Sequence, residues 1–85
     1  MNLHIDWTTR AQRDLNRLDR STRERIVAAI LKLAETGQGD VVKLAGQQPA
    51  EYRLRVGGWR VRFAWDQALG ALVILHVFKR GQGYE

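Results

Sequence analysis

The sequence has no cysteine, a single proline and only two histidines among its 85 residues. The absence of cysteine excludes a disulfide framework, a thiolate nucleophile and a thiolate metal site. No uninterrupted apolar run approaches the roughly 20 residues that cross a bilayer, and the first residues lack the basic-then-apolar pattern of a signal peptide. We therefore expect a cytoplasmic protein in which residues 1–85 form one domain.

The basic residues are mostly of one type. Lysine and arginine together number 14 against 9 acidic residues, which gives a formal net charge of +5, and eleven of the 14 are arginine. Arginine presents a rigid fork of donors that matches phosphate and carboxylate groups, whereas lysine presents a point charge. A small, arginine-rich domain of this kind is expected to have an anionic partner, which at this stage is a nucleic acid, an acidic protein or an anionic membrane surface.

Hydropathy patterns divide the first half of the chain into a strand, two helices and a loop. Alternating apolar residues predict a strand over residues 2–7, and apolar residues at helical spacing predict a first helix over 9–18. A second helix is predicted from an N-cap at Ser21 to a left-handed C-cap at Gly37, so that the two helices form a hairpin. Residues 38–50 lose this periodicity and are predicted to be a loop.

The second half of the chain predicts strands separated by turns. Residues 51–56 and 59–66 alternate on either side of Gly57-Gly58, a two-residue link typical of a tight hairpin. Residues 72–78 are apolar on both faces, as in a central strand. We therefore predict an α+β fold in two layers, with an N-terminal strand, the helical hairpin and a three-stranded antiparallel meander.

A two-residue turn determines which residues face each other across the hairpin. Arg55 then opposes Arg60. Arg53 opposes Arg62 on the next rung, so four cations project from one side of the sheet and apolar residues from the other. Like charges directly opposite each other are unfavourable by up to roughly 1 kcal/mol per pair, and arginine cannot lose its proton to relieve the repulsion. This pattern indicates a polyanion bound across the face; the alternative is that each arginine is solvated or paired with a carboxylate.

Several segments, in order along the chain, carry a family likeness. They are EYRLRVGGWRVRF at residues 51–63, VILHVFKR at 73–80, KLAG at 43–46 and the spacing Arg80-x-x-x-Tyr84. Together with the early strand and the helix pair, they resemble the RelE branch of the RelE/ParE toxins, which are small toxins of type II toxin–antitoxin systems in bacteria and archaea. The resemblance covers nearly the whole chain.

The resemblance implies a RelE-like fold and cleavage of mRNA in the ribosomal A site, without a metal or other cofactor, so that translation is inhibited. It also implies a cognate antitoxin as the protein partner, with no role for a membrane. The family's functional positions correspond here to Arg53, Arg55, Arg60, Arg80 and Tyr84. Further RNA contacts are predicted for Arg62, Lys43 and Lys79.

Metal-free RNA cleavage uses the ribose 2′-OH as the nucleophile against the adjacent phosphate. It needs cations around the phosphorane that forms, a base for the 2′ proton and an acid for the 5′ leaving oxygen. Tyr84 is a candidate base or a stacking platform, Lys79 a candidate acid, and His76 a candidate acid or base unless it is a hydrogen-bonded structural residue. In some relatives a lysine that is a candidate base occupies the position of Arg53 or Arg55, and arginine is a poor substitute there.

Two other functions stay open on the sequence. One is a ParE-like inhibitor of DNA gyrase on the same scaffold, and the other is a catalytically inert module that binds RNA or an antitoxin. The ending from Arg80 to Tyr84 and the four in-register arginines favour the endoribonuclease. The missing strand lysine favours the inert module.

Overall fold

The computed structural model describes residues 2–82, in which two helices pack on one face of a five-stranded sheet. The elements in chain order are β1 (His4–Trp7), α1 (Thr9–Asn16), α2 (Arg20–Thr36), β2 (Asp40–Lys43), β3 (Tyr52–Val56), β4 (Trp59–Asp66) and β5 (Ala71–Lys79). The strands lie in the order β1-β5-β4-β3-β2; β1 runs parallel to β5, and the other neighbouring pairs are antiparallel. The predicted α+β class is confirmed. Within the described part of the chain, no helix is long and apolar enough to cross a membrane.

The segment predicted as a loop contains a strand, and this part of the prediction is wrong. Asp40–Lys43 pairs antiparallel with β3, so the meander has four strands and the sheet five. The strand has only 4 residues; Val41 packs on the core and Val42 is exposed. Pairing with β3 stabilises this strand, and a stretch so short, next to glycines, shows little periodicity of its own.

Capping residues account for both N-termini of the helices and for the C-terminus of α2. The Thr8 hydroxyl accepts a first-turn N–H at 3.1 Å and begins α1. Asp19, rather than the predicted Ser21, caps α2, because its carboxylate accepts the Thr22 N–H at 3.3 Å. Hydrogen bonds from the hydroxyl and the N–H of Thr22 lower the pKa of Asp19 below its usual value. Gly37 ends α2 in the left-handed conformation, as predicted.

Apolar side chains of both helices fill the space above one face of the sheet. The least exposed large side chains are Ile26, Ile30, Leu54, Val61, Leu72 and Ile74. α1 adds Ala11 and Leu15 to this core. Each fully buried aliphatic side chain stabilises the fold by about 1.5–3 kcal/mol, so the helix layer holds the sheet and leaves its other face open for function.

A bulge in β5 decides which way the end of that strand faces. Phe63 pairs with Ile74 whereas Arg62 pairs with His76, which leaves Leu75 without a partner on β4. Side chains alternate along a strand, so the extra residue moves His76 to the opposite face of the sheet from Ile74. Uninterrupted alternation would have placed this histidine in the core.

The turn between β3 and β4 depends on Gly57. Its φ is +58°, a region that other residues rarely adopt, and a Cβ there would lie 2.5 Å from the Arg25 Nη2 of α2. Gly58 has neither constraint. We expect Gly57→Ala to lower the free energy of unfolding by about 1–2 kcal/mol, and Gly58→Ala to change it by less than about 0.5 kcal/mol. Urea denaturation compares the two variants; equal losses would show that the turn does not require the left-handed conformation.

Candidate nucleic-acid interface

Four arginines lie in register on the face of the sheet that the helices leave open. Arg53 pairs with Arg62 across β3 and β4, and two residues further along β3 Arg55 pairs with Arg60. Directly opposed residues project from the same side, and the residues between them, such as Leu54, are in the core. The predicted register is therefore confirmed. We refer to Arg53, Arg55, Arg60 and Arg62 together as the arginine face.

Two carboxylates neutralise part of the arginine face. Asp40 lies opposite Arg55 in the register and forms an exposed ion pair with it at 2.5 Å. Glu51 forms an ion pair with Arg62 that is largely shielded from solvent. Among the described residues, the Arg62 Nε has no hydrogen-bond partner. The sequence left open that each arginine pairs with a carboxylate. Within residues 2–82 this holds for two of the four arginines, which leaves an excess of two positive charges on the arginine face.

The other two arginines have no carboxylate partner in residues 2–82. The Arg60 Nη1 donates to the carbonyl oxygens of Gly57 and Trp59 at 3.0 and 2.9 Å, which holds this guanidinium against the hairpin turn. The Arg53 side chain has no hydrogen bond or ion pair with another described residue. It lines a pocket of about 140 Å³ on the arginine face, next to Arg55 and Arg60. An anion in this pocket would meet the unused donors of Arg53.

The ion pair between Glu51 and Arg62 is largely shielded from solvent. We expect Glu51→Gln to lower the free energy of unfolding by about 1–3 kcal/mol, because it leaves a shielded guanidinium without its charge partner. Asp40→Asn is the matched control: its ion pair with Arg55 is exposed, and its loss should be below about 1 kcal/mol. Urea unfolding measures both, and a larger loss for Asp40→Asn would contradict this ranking.

A groove of about 530 Å³ lies between α1 and the end of β5. We refer to it as the edge groove; its cations are Arg10, Arg17 and Lys79, and its rings are Trp59, His76 and Phe78. Cations combined with aromatic rings bind the phosphates and bases of single-stranded nucleic acid. The groove adjoins the arginine face, because its His76 lies opposite Arg62 in the sheet.

α1 takes the place of a strand along the open edge of β5. β1 pairs only with residues 71–74 of β5. Beyond them, the Asp14 Oδ2 of α1 accepts the Val77 N–H at 2.9 Å, and the Thr8 hydroxyl donates to the Ile74 carbonyl oxygen at 2.7 Å. These bonds satisfy backbone groups that an edge strand otherwise exposes, and they fix α1 beside the groove.

His76 lies in the edge groove between two charged side chains of α1. Its Nδ1 is 2.7 Å from the Asp14 Oδ2, and its Nε2 is 3.1 Å from the Arg10 Nη2. The ring also stacks on Phe78, with 4.9 Å between ring centroids. The sequence indicates His76 as a candidate acid or base. It does not indicate that Asp14, 62 residues away, or Arg10 contacts this ring, because both are simply polar residues on the outer side of the first predicted helix. Only the bulge and the packing of α1 bring these groups together.

Two more predicted cations lie near the hairpin turn. The Arg80 N–H donates to the Gly58 carbonyl oxygen at 2.8 Å, which brings Arg80 beside the turn that Arg60 contacts. Lys79 is exposed and lines the edge groove. The end of β5 and the turn thus form one basic region between the groove and the arginine face.

Lys43 lies elsewhere in the sheet. It ends β2 opposite Tyr52, whose ring packs on the core, so Lys43 belongs to the helix side and not to the arginine face. Tyr84 lies outside the described residues, and its role stays a prediction. Within residues 2–82, no three His, Asp or Glu side chains come together as metal ligands.

The chain matches a model of a known protein family. A family model described as the ParE toxin of the type II toxin–antitoxin system parDE matches residues 5–84. The chain belongs to this toxin family. Its predicted membership of the RelE/ParE toxins is therefore confirmed. A comparison with curated protein sequences found no significant match.

Solved toxin structures share the fold at low sequence identity. A chain of the archaeal RelE–RelB complex from Pyrococcus horikoshii matches with a TM-score of 0.80 and 23% identity, over 98% of this toxin and 100% of that chain. The isolated Escherichia coli RelE toxin matches with a TM-score of 0.77 and 18% identity, over 96% and 88%. A chain of the RelBE2 toxin–antitoxin complex from Mycobacterium tuberculosis matches with a TM-score of 0.63 and 26% identity, over 94% and 100%. The predicted RelE-like fold is confirmed.

Proposed function

We propose that this toxin is a ribosome-dependent, metal-free mRNA endoribonuclease that inhibits translation in the cytoplasm. The observation that carries the proposal is the arginine face, where two like-charge pairs lie two residues apart along the hairpin and, within residues 2–82, two carboxylates offset them. In a sheet selected for stability, arginine opposite arginine is unfavourable by up to roughly 1 kcal/mol per pair. An RNA backbone lying across the face offsets this repulsion with its phosphates.

In the proposed reaction, the ribose 2′-OH attacks the adjacent phosphorus and the 5′ oxygen leaves. The products are a 2′,3′-cyclic phosphate and a 5′-hydroxyl end. Arg53, Arg60 and Arg80 are proposed to stabilise the phosphorane, and a well-placed donor of this kind is worth about 10²–10³ in rate. Lys79 is the proposed acid for the leaving oxygen, and Tyr84 is proposed to stack on a base.

We also propose a cognate antitoxin as the protein partner. Solved chains with this fold include members of RelE–RelB complexes from Pyrococcus horikoshii and Escherichia coli. An acidic antitoxin segment lying over the arginine face would neutralise the charges that RNA needs, so antitoxin and mRNA should compete for the same surface.

Inhibition of DNA gyrase is the second candidate function, and the match to the ParE family model favours it. Such a toxin acts on a protein and needs neither an acid nor a base. An inert module that only binds RNA or antitoxin is the third. The three differ in what an expressing cell shows: cut mRNA, DNA damage, or no growth defect.

Induced expression in a bacterial host separates these functions. We expect the wild type to arrest growth and to leave new 5′-hydroxyl ends within translated mRNA. Arg80→Ala and Tyr84→Ala, expressed at equal levels, should relieve the arrest and remove the cuts. Arrest that survives both changes, with DNA-damage signalling and intact mRNA, would favour gyrase. Normal growth with the wild type would favour the inert module.

A further inference from the structure

The proposed cleavage needs a group that takes the 2′ proton, and the following assignment rests on that proposed function. We propose that His76, oriented by Asp14, is this base, and that Arg10 covers its free nitrogen until an RNA phosphate draws Arg10 away. Asp14 is then a positioning residue, and Arg10 binds phosphate in the edge groove. Arg53 and Arg55 cannot act as the base, because arginine keeps its proton.

The contacts of the imidazole determine where its proton lies. A guanidinium has donors only, so the Nε2 that lies 3.1 Å from the Arg10 Nη2 accepts the hydrogen bond. The Asp14 carboxylate accepts, so the Nδ1 that lies 2.7 Å from its Oδ2 carries the proton. His76 is therefore neutral, and its lone pair is on the nitrogen that faces Arg10. A general base needs this protonation state.

Charged groups from each packed element surround the imidazole. Asp14 and Arg10 of α1 bond to it, and Arg62 of β4 is its register partner. Arg17 of α1 and Lys79 of β5 line the same groove. Among the described residues, Asp14 and four cations thus lie around the ring, and one of these cations, Arg62, is already paired with Glu51. A phosphate that enters the groove places negative charge beside the imidazolium that forms when the base accepts the 2′ proton.

Arg10 controls access to the base. His76 is only 8% exposed, whereas the Arg10 side chain is exposed at the edge of the groove. A phosphate offers the guanidinium charged oxygens in place of one neutral nitrogen, which makes the stronger hydrogen bond. When Arg10 moves to the phosphate, the lone pair is uncovered beside the RNA. The groove, at about 530 Å³, is of the size of small-molecule sites.

In the proposed cleavage step His76 accepts one proton and Lys79 donates another. The 2′-OH transfers its proton to the His76 Nε2 while its oxygen forms the new bond to phosphorus. The bond from phosphorus to the 5′ oxygen breaks, and that oxygen takes a proton from the Lys79 ammonium. The imidazolium, stabilised by Asp14, then loses its proton to solvent and Lys79 regains one, so both residues return to their starting states.

Single-turnover cleavage of mRNA on purified ribosomes, followed against pH, tests the assignment. His76→Gln should lower the rate by about 10²–10⁴-fold and remove the rise of the rate with pH that reports a base losing its proton. The Asp14 Oδ2 accepts both the His76 Nδ1–H and the Val77 N–H, and the amide oxygen of Asp14→Asn can take both hydrogen bonds without the negative charge. The imidazolium that forms in the reaction then lacks its counter-charge, and the rate should fall by about 10–10²-fold.

The role of Arg10 has a matched control on the same helix. Arg10→Ala should lower the cleavage rate by about 10²-fold, because a phosphate-binding cation is lost. Arg13→Ala makes the same charge change at an exposed position of α1 outside the groove and should keep the wild-type rate. Equal rates for the two variants would overturn the role of Arg10.

A second measurement does not depend on cleavage. ¹⁵N NMR of the His76 ring should show a protonated Nδ1 and a bare Nε2 in the free protein. Adding a 2′-O-methylated RNA, which cannot be cut, should shift the Nε2 resonance as Arg10 leaves it. A wild-type protein whose Nε2 carries the proton would overturn the assignment.

The outcomes separate this assignment from the proposed function. Wild-type mRNA cleavage with an unchanged rate or pH profile in His76→Gln, or in folded Asp14→Asn, would overturn the base and leave the endoribonuclease standing. If the wild type leaves ribosome-bound mRNA intact, the proposed function fails and the base assignment fails with it.

Discussion

Arg53→Gln is expected to lower the single-turnover rate of mRNA cleavage by about 10²–10³-fold and to leave the fold at least as stable as the wild type. The Arg53 side chain has no hydrogen bond or ion pair within residues 2–82, so the substitution breaks no described polar contact. It also removes one charge of the pair with Arg62, which relieves a repulsion of up to roughly 1 kcal/mol. Lost activity with unchanged or greater stability distinguishes a binding residue from a structural one.

Cleavage on purified ribosomes and urea unfolding measure the two parts of this prediction. Arg13→Gln is the control, because it removes a charge from an exposed position of α1 and should change neither quantity. If Arg53→Gln cuts as fast as the wild type, the arginine face does not hold the scissile phosphate. If it unfolds more easily, the aliphatic part of Arg53 contributes packing on the sheet instead.

Ile30→Ala is expected to lower the free energy of unfolding by about 2–5 kcal/mol. Ile30 is fully buried in α2, where it packs on the sheet, and its truncation leaves a cavity between the layers. Domains are commonly stable by only about 5–15 kcal/mol, so a large share of the stability is lost. Leu31→Ala, at the next position and 45% exposed, should cost less than about 1 kcal/mol.

The effect of Ile30→Ala on toxicity should come from the amount of folded protein. The helix layer holds β3, β4 and β5, which carry the arginine face and one side of the edge groove, but Ile30 lines neither the edge groove nor the pocket of the arginine face. We expect growth arrest to weaken in proportion to the soluble protein in the cell, while the cleavage rate per folded molecule stays that of the wild type. Urea unfolding and immunoblotting measure this; similar losses of stability in Ile30→Ala and Leu31→Ala would contradict the two-layer packing.

The hairpin could be predicted from the sequence because the residues that determine it are neighbours along the chain. Two glycines between alternating segments determine the turn, and the turn determines every pair along β3 and β4, including Arg53 with Arg62. The alternation also divides these strands into a core side and an arginine side. The carboxylates that pair with Arg55 and Arg62 come from outside the hairpin, which is why the sequence could not decide how much of the charge is neutralised.

The edge groove and β2 depend on contacts between residues far apart in the sequence, and most of these contacts could not be predicted from it. β2 is held by its pairing with β3, so a 4-residue segment among glycines looked like a loop. The bulge at Leu75 turns His76 away from the core, and nothing in the alternation of β5 marks it. β1 pairs with β5 only as far as Ile74, so the Val77 N–H has no strand partner there and donates to Asp14 instead. The need for an acceptor at Val77 is visible only in the folded structure.

The salt dependence of RNA binding tests most directly whether the arginine face holds phosphates. Each phosphate contact to single-stranded RNA contributes about −0.7 to the slope of log affinity against log salt. With a short 2′-O-methylated RNA and fluorescence anisotropy, we predict that Arg53→Gln and Arg60→Gln each reduce the slope by about 0.7, whereas Arg13→Gln leaves it unchanged. A slope that keeps its wild-type value in both arginine-face variants would show that the RNA binds elsewhere.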